Sequence, residues 1–340
     1  TIDFEGASVS VGASLKRNYT LVNKGLTDAT VTAVVNAEGM SVAVPKTIGA
    51  GEKVAAYVNF KPQHAGAYSG SATISGNNGA TSATLTFKGT VNEAPDYSQV
   101  VKQGSSPITF SNGDNYPYVI TDTITGSPVA VSTNVGSNTQ SQLFANFDVP
   151  EGKVGVFSWK GVKEGGYSNG VKIILNEDSV ITDDTYSHGM DNDSFSDDIS
   201  NTLVLAPGTY SVEYNNDLQA DWFNTGDKSL RTYLWDFNLD LRDNAPHAAM
   251  LKADSLNFGT HYYDNLSVRD TLTAELVNLG SEPLQVTAIE GDGIFGGIVP
   301  EQDAPSFTSL PIAITYETKN NGNYSGKVII KTNAGDYTVN

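Results

Sequence analysis

About the first hundred residues of the chain reappear, in the same order, in its last hundred. With an offset of about 255 positions, short motifs at the two ends coincide. The matching pairs are IDF (2–4) with LNF (256–258), LVNKG (21–25) with LVNLG (276–280), VNF (58–60) with ITY (314–316), GAYSG (66–70) with GNYSG (322–326), and ATI (72–74) with VII (328–330). Motifs that recur in constant order indicate two copies of one domain.

Each copy has the periodicity of β-strands. Short runs alternate apolar and polar residues, as at 19–22 and 327–331, and Gly, Asn or Pro separates the runs. A period of two predicts strands that bury one face. Asn-x-Gly follows an apolar pair in both copies, and because Asn and Gly enter left-handed turn conformations at little cost, it predicts a turn.

The second copy stops early in this alignment. Asn333 matches Asn77, but no stretch after it matches Leu85-Thr86-Phe87. We therefore expect the second copy to be truncated and the natural protein to continue beyond Asn340.

The residues between the two copies do not share the repeated motifs and have a different sequence pattern. Proline-containing linkers at 92–96 and 243–246 enclose it, and proline cannot continue a strand ladder. Strand-like runs recur at 129–132, 143–147, 154–159, 171–175, 202–205, 209–214 and 233–239. Many short strands without a helical pattern predict a two-sheet jelly roll. The fold class is therefore all-β, with three β-sandwich domains: immunoglobulin-like (1–92), jelly roll (93–245) and immunoglobulin-like (246–340).

Charge and cysteine content exclude several functions. The net charge of -18 repels phosphate backbones and anionic membranes, so we expect no nucleic-acid partner. The chain has no cysteine, which excludes disulfides and thiol chemistry. No apolar run is long enough to cross a bilayer, so we expect no membrane insertion. The chain opens inside a strand pattern without an export signal, which suggests a fragment of a secreted or bacterial cell-surface protein whose signal and anchor are absent.

The repeated motifs resemble bacterial immunoglobulin-like domains of the choice-of-anchor D and ASH type. The residues that carry this resemblance are IDF or LNF, LVNKG or LVNLG, VNFKP in the first copy only, and GAYSG or GNYSG. Such domains are spacers and interaction modules in surface proteins, so the resemblance implies no catalysis.

The central segment resembles the cleaved-adhesin and MAM-like jelly rolls of secreted bacterial proteins. The resemblance rests on SQL (141–143), VFSWK (156–160) followed by Glu164, LAPGTY (205–210) and the acidic stretch 221–227. It implies binding of a glycan or host protein and a structural calcium site. Asn169-Gly170 stands where that family usually has an acidic residue.

Catalytic motifs are weak in this sequence. GYSNG (166–170) matches the nucleophile-elbow pattern, but a strand-like run follows where that motif needs a helix, so we interpret it as a hairpin turn. The four histidines form no spaced metal pair. Paired carboxylates for glycoside hydrolysis cannot be singled out among 38 acidic residues. We therefore expect no enzyme.

A ligand site is predicted from aromatic residues in polar loops. Trp222 stands between Asp221 and Asp227, and a flat aromatic beside carboxylates can stack on a sugar ring while its hydroxyls are hydrogen-bonded. Tyr116 and Tyr118, which flank Pro117, are further candidates.

Calcium is the one cofactor that the sequence suggests. The stretch 183–198 is rich in aspartate, and carboxylates in one loop can supply the oxygen ligands of calcium, although the spacing is not that of an EF-hand. Asp191 and Asp193 are the candidate ligands there, and Asp114 is a candidate in a second loop. A solvated acidic loop is the alternative.

The sequence thus predicts a non-catalytic adhesion or ligand-binding protein whose central jelly roll binds a glycan or a host or matrix protein. One alternative is the accessory, substrate-targeting region of a larger secreted peptidase or glycoside hydrolase. Another is a purely structural stalk.

Overall fold

A computed structural model describes residues 1–4, 10–113, 116–121, 126–136, 138–164, 169–185, 195–218, 230–262 and 267–340. The regular structure of these residues consists of strands, with 3-10 turns at Asn77–Gly79 and Tyr97–Val100. The strands form sheets that pack into sandwiches, which confirms the predicted all-β class.

The first copy contains eight strands. They are β1 (Ile2–Asp3), β2 (Leu15–Val22), β3 (Ala29–Asn36), β4 (Met40–Ala43), β5 (Thr47–Ile48), β6 (Lys53–Phe60), β7 (Gly66–Gly76) and β8 (Thr81–Val91). One sheet has the order β1-β8-β7-β3-β5 and the other β2-β6-β4. In β6 the inward positions Ala56, Val58 and Phe60 are buried, as the alternating pattern predicts.

The central segment contains eleven strands. They are β9 (Thr109–Asn112), β10 (Val119–Thr121), β11 (Val129–Val131), β12 (Thr139–Val149), β13 (Lys153–Glu164), β14 (Asn169–Leu175), β15 (Ser179–Thr185), β16 (Phe195–Asp198), β17 (Asn201–Leu205), β18 (Gly208–Leu218) and β19 (Thr232–Asp243). One sheet has the order β10-β11-β19-β13-β16, with β17 also on β13, and the other β15-β14-β18-β12-β9. The rings of Trp159 and Phe237 each pack edge-on against Tyr214, with centroids 5.2 and 5.5 Å away.

The second copy contains seven strands. They are β20 (Ala249–Leu251), β21 (Val268–Asn278), β22 (Val286–Gly291), β23 (Phe295–Ile298), β24 (Ser309–Thr318), β25 (Val328–Thr332) and β26 (Gly335–Val339). One sheet has the order β20-β21-β24-β23 and the other β22-β25-β26. Its core includes Leu276, Ile312, Ile314 and Ile330.

Leu85, which the sequence alignment left without a match, has a counterpart in the second copy, while the predicted truncation of that copy stays a prediction. Val339 pairs with Val328 as Leu85 pairs with Ala72, so β26 is the counterpart of the first half of β8. The sequence alignment missed it because the hairpin before β26 is shorter. Thr332 pairs with Gly335 across it, whereas the longer turn 77–80 separates β7 from β8.

The chain divides into two compact units. The first contains residues 1–147, 159–200 and 210–237, and the second contains 148–158, 201–209 and 238–340. The second unit has an additional apolar cluster in which Val154 and Val156 of β13 pack with Val277 and Leu279. The predicted boundaries at 92/93 and 245/246 stay predictions. No helix in the described residues is long and apolar enough to span a membrane.

Candidate functional site

A groove in the second copy has a cavity volume of about 710 Å³. Its lining includes residues 256–259 and residues 322–327. Val339 and Asn340, at the end of β26, also line it, and the Leu256 amide donates to the Asn340 carbonyl at 3.0 Å. We refer to this groove as the slot.

Four aromatic rings line the slot. Phe295 and Phe258 lie 5.9 and 5.5 Å, centroid to centroid, from Tyr316. The Tyr324 ring, 6.4 Å from Tyr316, extends the row and is 40% exposed. A row of partly exposed rings at a concave surface supplies apolar area for a ligand.

Polar groups also line the slot. The His261 imidazole stacks on Tyr316 at 5.9 Å and its Nε2 lies 3.3 Å from an Asp270 carboxylate oxygen. The Tyr324 hydroxyl donates to the Asn320 carbonyl at 2.8 Å, which fixes the position of the ring. Asp292 and Lys327 also line the slot, so it offers charges of both signs.

The first copy shows what the same architecture looks like when the slot is filled. Phe4, Phe60 and Tyr68 correspond to Phe258, Tyr316 and Tyr324, and they are between 0 and 6% exposed. They are covered because β8 continues beyond Leu85 between β1 and β7, and its Phe87 and Val91 belong to the same buried cluster.

In the second copy Asn340, the last of the 340 residues, corresponds to Thr86, the residue before Phe87. Residues 322–326 correspond to the first half of β7, Gly66–Gly70, which pairs with Phe87–Val91. In the second copy these residues lie outside any strand. The slot thus combines partly exposed rings with backbone segments whose counterparts in the first copy take part in strand pairing.

Of the residues that the sequence predicts for ligand or metal binding, most lie outside the described part of the chain. These are Trp222, Asp221, Asp227, Asp191, Asp193 and Asp114. Tyr116 is half-buried and forms an isolated parallel bridge with Ser141. Tyr118 is fully buried, so its ring packs in the sandwich, away from any ligand in solvent.

A buried polar network holds both flanks of the segment that carries Trp222. The Asn216 amide, in β18, donates to the Asn134 side chain at 2.8 Å and to the Leu230 carbonyl at 3.2 Å. The Thr232 hydroxyl, in β19, donates to the Asn216 side-chain oxygen at 2.7 Å. Buried polar groups that satisfy one another fix local geometry. The network therefore anchors the chain just before and just after residues 219–229.

The structure describes part of the other motifs named above. Residues 165–168 of GYSNG are not described, but Asn169 and Gly170 begin β14, so the motif is followed by a strand, as expected. His64 and His247 face single carboxylates, Glu38 at 3.3 Å and Glu282 at 3.5 Å. The described residues contain no group of three or more His, Asp or Glu side chains arranged around a metal position.

Sequence reasoning did not predict the slot. The motifs that form it, LNF, ITY and GNYSG, belong to the repeated strand-and-turn pattern, which favours core and turn positions over a binding site. The replacement of Phe60 by Tyr316 was the available signal, since a hydroxyl on a core ring suits a position that contacts water.

The comparisons with known proteins support an immunoglobulin-like fold. Residues 2–90 match the family described as HYDIN/CFA65/VesB-like, Ig-like domain. No curated protein matches the chain.

Three solved structures show distant likeness. The secreted serine protease VesC from Vibrio cholerae is 10% identical over 70% of this chain and 49% of its own, with a TM-score of 0.29. The ASH/PapD-like domain of human CEP192 is 15% identical over 27% and 81%, with a TM-score of 0.24. The adhesin domain of Epf from Streptococcus pyogenes is 10% identical over 62% and 75%, with a TM-score of 0.20. The chain thus spans about half the length of VesC.

Proposed function

We propose that the protein is a non-catalytic ligand-binding module of a secreted or bacterial cell-surface protein, with an adhesion role. The observation that carries the proposal is the aromatic slot of the second copy. It presents the exposed ring of Tyr324 beside the half-buried rings of Phe258 and Tyr316, whereas the matching rings of the first copy are buried. Exposed apolar surface of this kind marks interaction sites, because leaving it in water costs free energy.

The ligand class is a glycan or a host or matrix protein, as the adhesin-like resemblance implies. Both bind in concave sites through aromatic stacking and a few polar groups. His261, Asp292 and Lys327 supply such polar groups at the slot. The loop that carries Trp222, together with Tyr116, remains a second proposed contact region, in the central segment.

The test is binding of the 340-residue chain to glycan arrays and to matrix proteins, with calcium and with chelator. We expect Tyr324→Ala to weaken binding. Tyr262→Ala is the matched control, because Tyr262 is 94% exposed in the same copy and is not among the residues that line the slot. No binding above background in either condition, or equal loss from both variants, contradicts the proposal.

A second proposal is that the chain is the accessory region of a larger secreted peptidase or glycoside hydrolase. It is motivated by the immunoglobulin-like match of residues 2–90, because such a domain does not determine function and also occurs as an interaction module beside catalytic domains. The full-length open reading frame tests it. A catalytic domain in the same polypeptide supports the accessory role, and further sandwiches alone support adhesion.

A further inference from the structure

We propose that the linker at 243–246 is a fixed joint and not a hinge, because an apolar face of the second copy packs against β13 and β17 of the central segment. The residues that form this joint all belong to the second compact unit, which contains 148–158, 201–209 and 238–340. The inference concerns how this unit is held together, so it does not depend on the proposed ligand-binding function.

The apolar face lies at the end of β21 and in the turn that follows it. Val277 and Leu279 are 1 and 2% exposed. They form one buried cluster with Val154 and Val156 at the start of β13, and Val204 of β17 packs against this cluster. Burial of this kind removes apolar area of both segments from water, which stabilises their contact.

The corresponding positions of the first copy are exposed. Val22 is the counterpart of Val277 and is 42% exposed. Lys24 is the counterpart of Leu279 and is also exposed. Both copies have the same Asn-x-Gly turn, so the turn itself does not require leucine at its middle position. The apolar character of the face therefore belongs to the contact with β13 and not to the shared fold.

Phe307 shows the same specialisation at a strained position. It is the counterpart of Gly51, since the next residues, Thr308 and Glu52, both accept a hydrogen bond from the backbone amide of the motif asparagine. Gly51 has a φ of 71° and Phe307 a φ of 60°. Glycine adopts this left-handed conformation at little cost, whereas phenylalanine there is strained. The Phe307 side chain packs against the apolar cluster of the joint, and this contact offsets the strain.

Hydrogen bonds hold the linker from both sides. The Asn244 amide donates to the Gly152 carbonyl, in the turn before β13, at 3.0 Å. The Ser281 amide donates to the Ala245 carbonyl, also at 3.0 Å. Gly280 lies directly against the linker, because a Cβ there would be 2.4 Å from a linker carbonyl oxygen. A hinge needs residues whose φ and ψ can change, and this segment is bound to both of its neighbours.

The test measures a distance across the joint in the full chain by pulsed electron paramagnetic resonance. The chain contains no cysteine, so spin labels attach only at introduced cysteines, here Glu151→Cys and Thr273→Cys at two exposed positions. A fixed joint gives one narrow distance distribution in the doubly labelled chain. A broad distribution in this chain contradicts the proposal.

Leu279→Lys gives the second copy the residue that the first copy has at this position. We expect it to broaden the distance distribution while the circular dichroism spectrum stays that of the parent chain, because a buried lysine opens the apolar contact. Ile298→Lys is the matched control, since Ile298 is a 62% exposed residue of the same copy outside the cluster. It should leave the distribution narrow. A distribution that stays narrow in Leu279→Lys, or broadens equally in both variants, overturns the inference.

Phe307→Gly provides an independent test if Leu279→Lys does not fold. Glycine relieves the strain at this left-handed position, so a ring without a role in the joint predicts a higher melting temperature for this variant. The proposal predicts the opposite, a melting temperature lowered by several degrees, because the packing of the ring is lost. Differential scanning calorimetry of the full chain measures the sign of the shift. A raised or unchanged melting temperature contradicts the inference.

Discussion

Asn23 and Asn278 occupy equivalent positions in the two copies and make the same set of hydrogen bonds. The Asn23 amide donates to the carbonyls of Thr27, Ile48 and Gly49 at 2.8 to 3.1 Å, and its side-chain oxygen accepts from the Gly25 amide at 2.9 Å.

The Asn278 amide donates to the carbonyls of Glu282, Ala304 and Pro305 at 2.8 to 3.2 Å, and its oxygen accepts from the Gly280 amide at 2.8 Å. The Asn-x-Gly motif therefore forms a turn, as the sequence predicts, but through a side chain that joins two loops. Gly280 does not have a left-handed backbone conformation. Glycine is required there because a Cβ atom would lie 2.4 Å from the Pro246 carbonyl oxygen.

Asn278→Ala should destabilise the second copy more than Asn23→Ala destabilises the first. Asn278 is 1% exposed and its hydrogen bond to the Ala304 carbonyl is buried, so alanine removes hydrogen bonds that water does not replace, whereas water can reach the half-buried Asn23 site. We expect about 2–3 kcal/mol for Asn278→Ala and about 1 kcal/mol for Asn23→Ala. Chemical denaturation followed by circular dichroism measures both. Equal losses would show that burial does not set the size of the effect.

Alkaline pH should unfold the central segment. Burial raises the pKa of Tyr97, Tyr118 and Tyr214 well above the ordinary value near 10. Because these folded-state pKa values exceed the unfolded value, the stabilisation is fully present below about pH 10 and is lost as the pH rises above it. Tyrosinate absorbance should therefore increase in a cooperative step together with the loss of circular dichroism.

Tyr214→Phe is the matched variant for the alkaline transition. The Tyr214 hydroxyl is buried and has no hydrogen-bond partner among the described residues, so phenylalanine keeps the packing and removes the ionisable group. We expect unchanged stability at neutral pH and a transition shifted to higher pH. A midpoint equal to that of the parent chain contradicts the role of this tyrosine.

The sequence predicted the strands of both copies well because alternation and burial have the same period, as in β6 and β2. It did not predict the slot, because the local pattern around Phe258 does not decide whether the ring is buried. In the first copy the burial of the counterpart, Phe4, depends on β8, which is distant in sequence. It also could not place Tyr118. A tyrosine beside Pro117 in a polar stretch resembles a surface residue, yet its position is set by contacts with residues that are distant in sequence. One of them is Tyr97, in the 3-10 turn, whose hydroxyl donates to the Tyr118 carbonyl at 2.6 Å.

Calcium binding stays a prediction and has a direct test. If the loop with Asp191 and Asp193 binds the ion, calcium at 100 times its dissociation constant stabilises the folded state by about 2.7 kcal/mol. We expect differential scanning calorimetry of the full chain to show one transition raised by several degrees in millimolar calcium relative to chelator. Asp191→Ala with Asp193→Ala should abolish the shift. Loss of the shift with Asp114→Ala alone would place the ion in the other loop, and identical scans would exclude a useful site.

Trp222→Ala tests the second proposed contact region, in the central segment. The hydrogen bonds of Asn216 to Leu230 and Thr232 anchor both flanks of residues 219–229, so we expect the variant to fold with an unchanged melting temperature. If Trp222 stacks on the ligand, affinity for a glycan or matrix protein identified on the arrays should fall about tenfold, which corresponds to about 1.4 kcal/mol. Titration of the immobilised ligand measures this loss of affinity.

Trp235→Phe is the control for Trp222→Ala. Trp235 packs in β19 against the cluster of Val129, Val131 and Tyr233, so its replacement should leave binding unchanged. Full binding by Trp222→Ala together with loss in Tyr324→Ala would assign ligand binding to the slot of the second copy and remove Trp222 from the site.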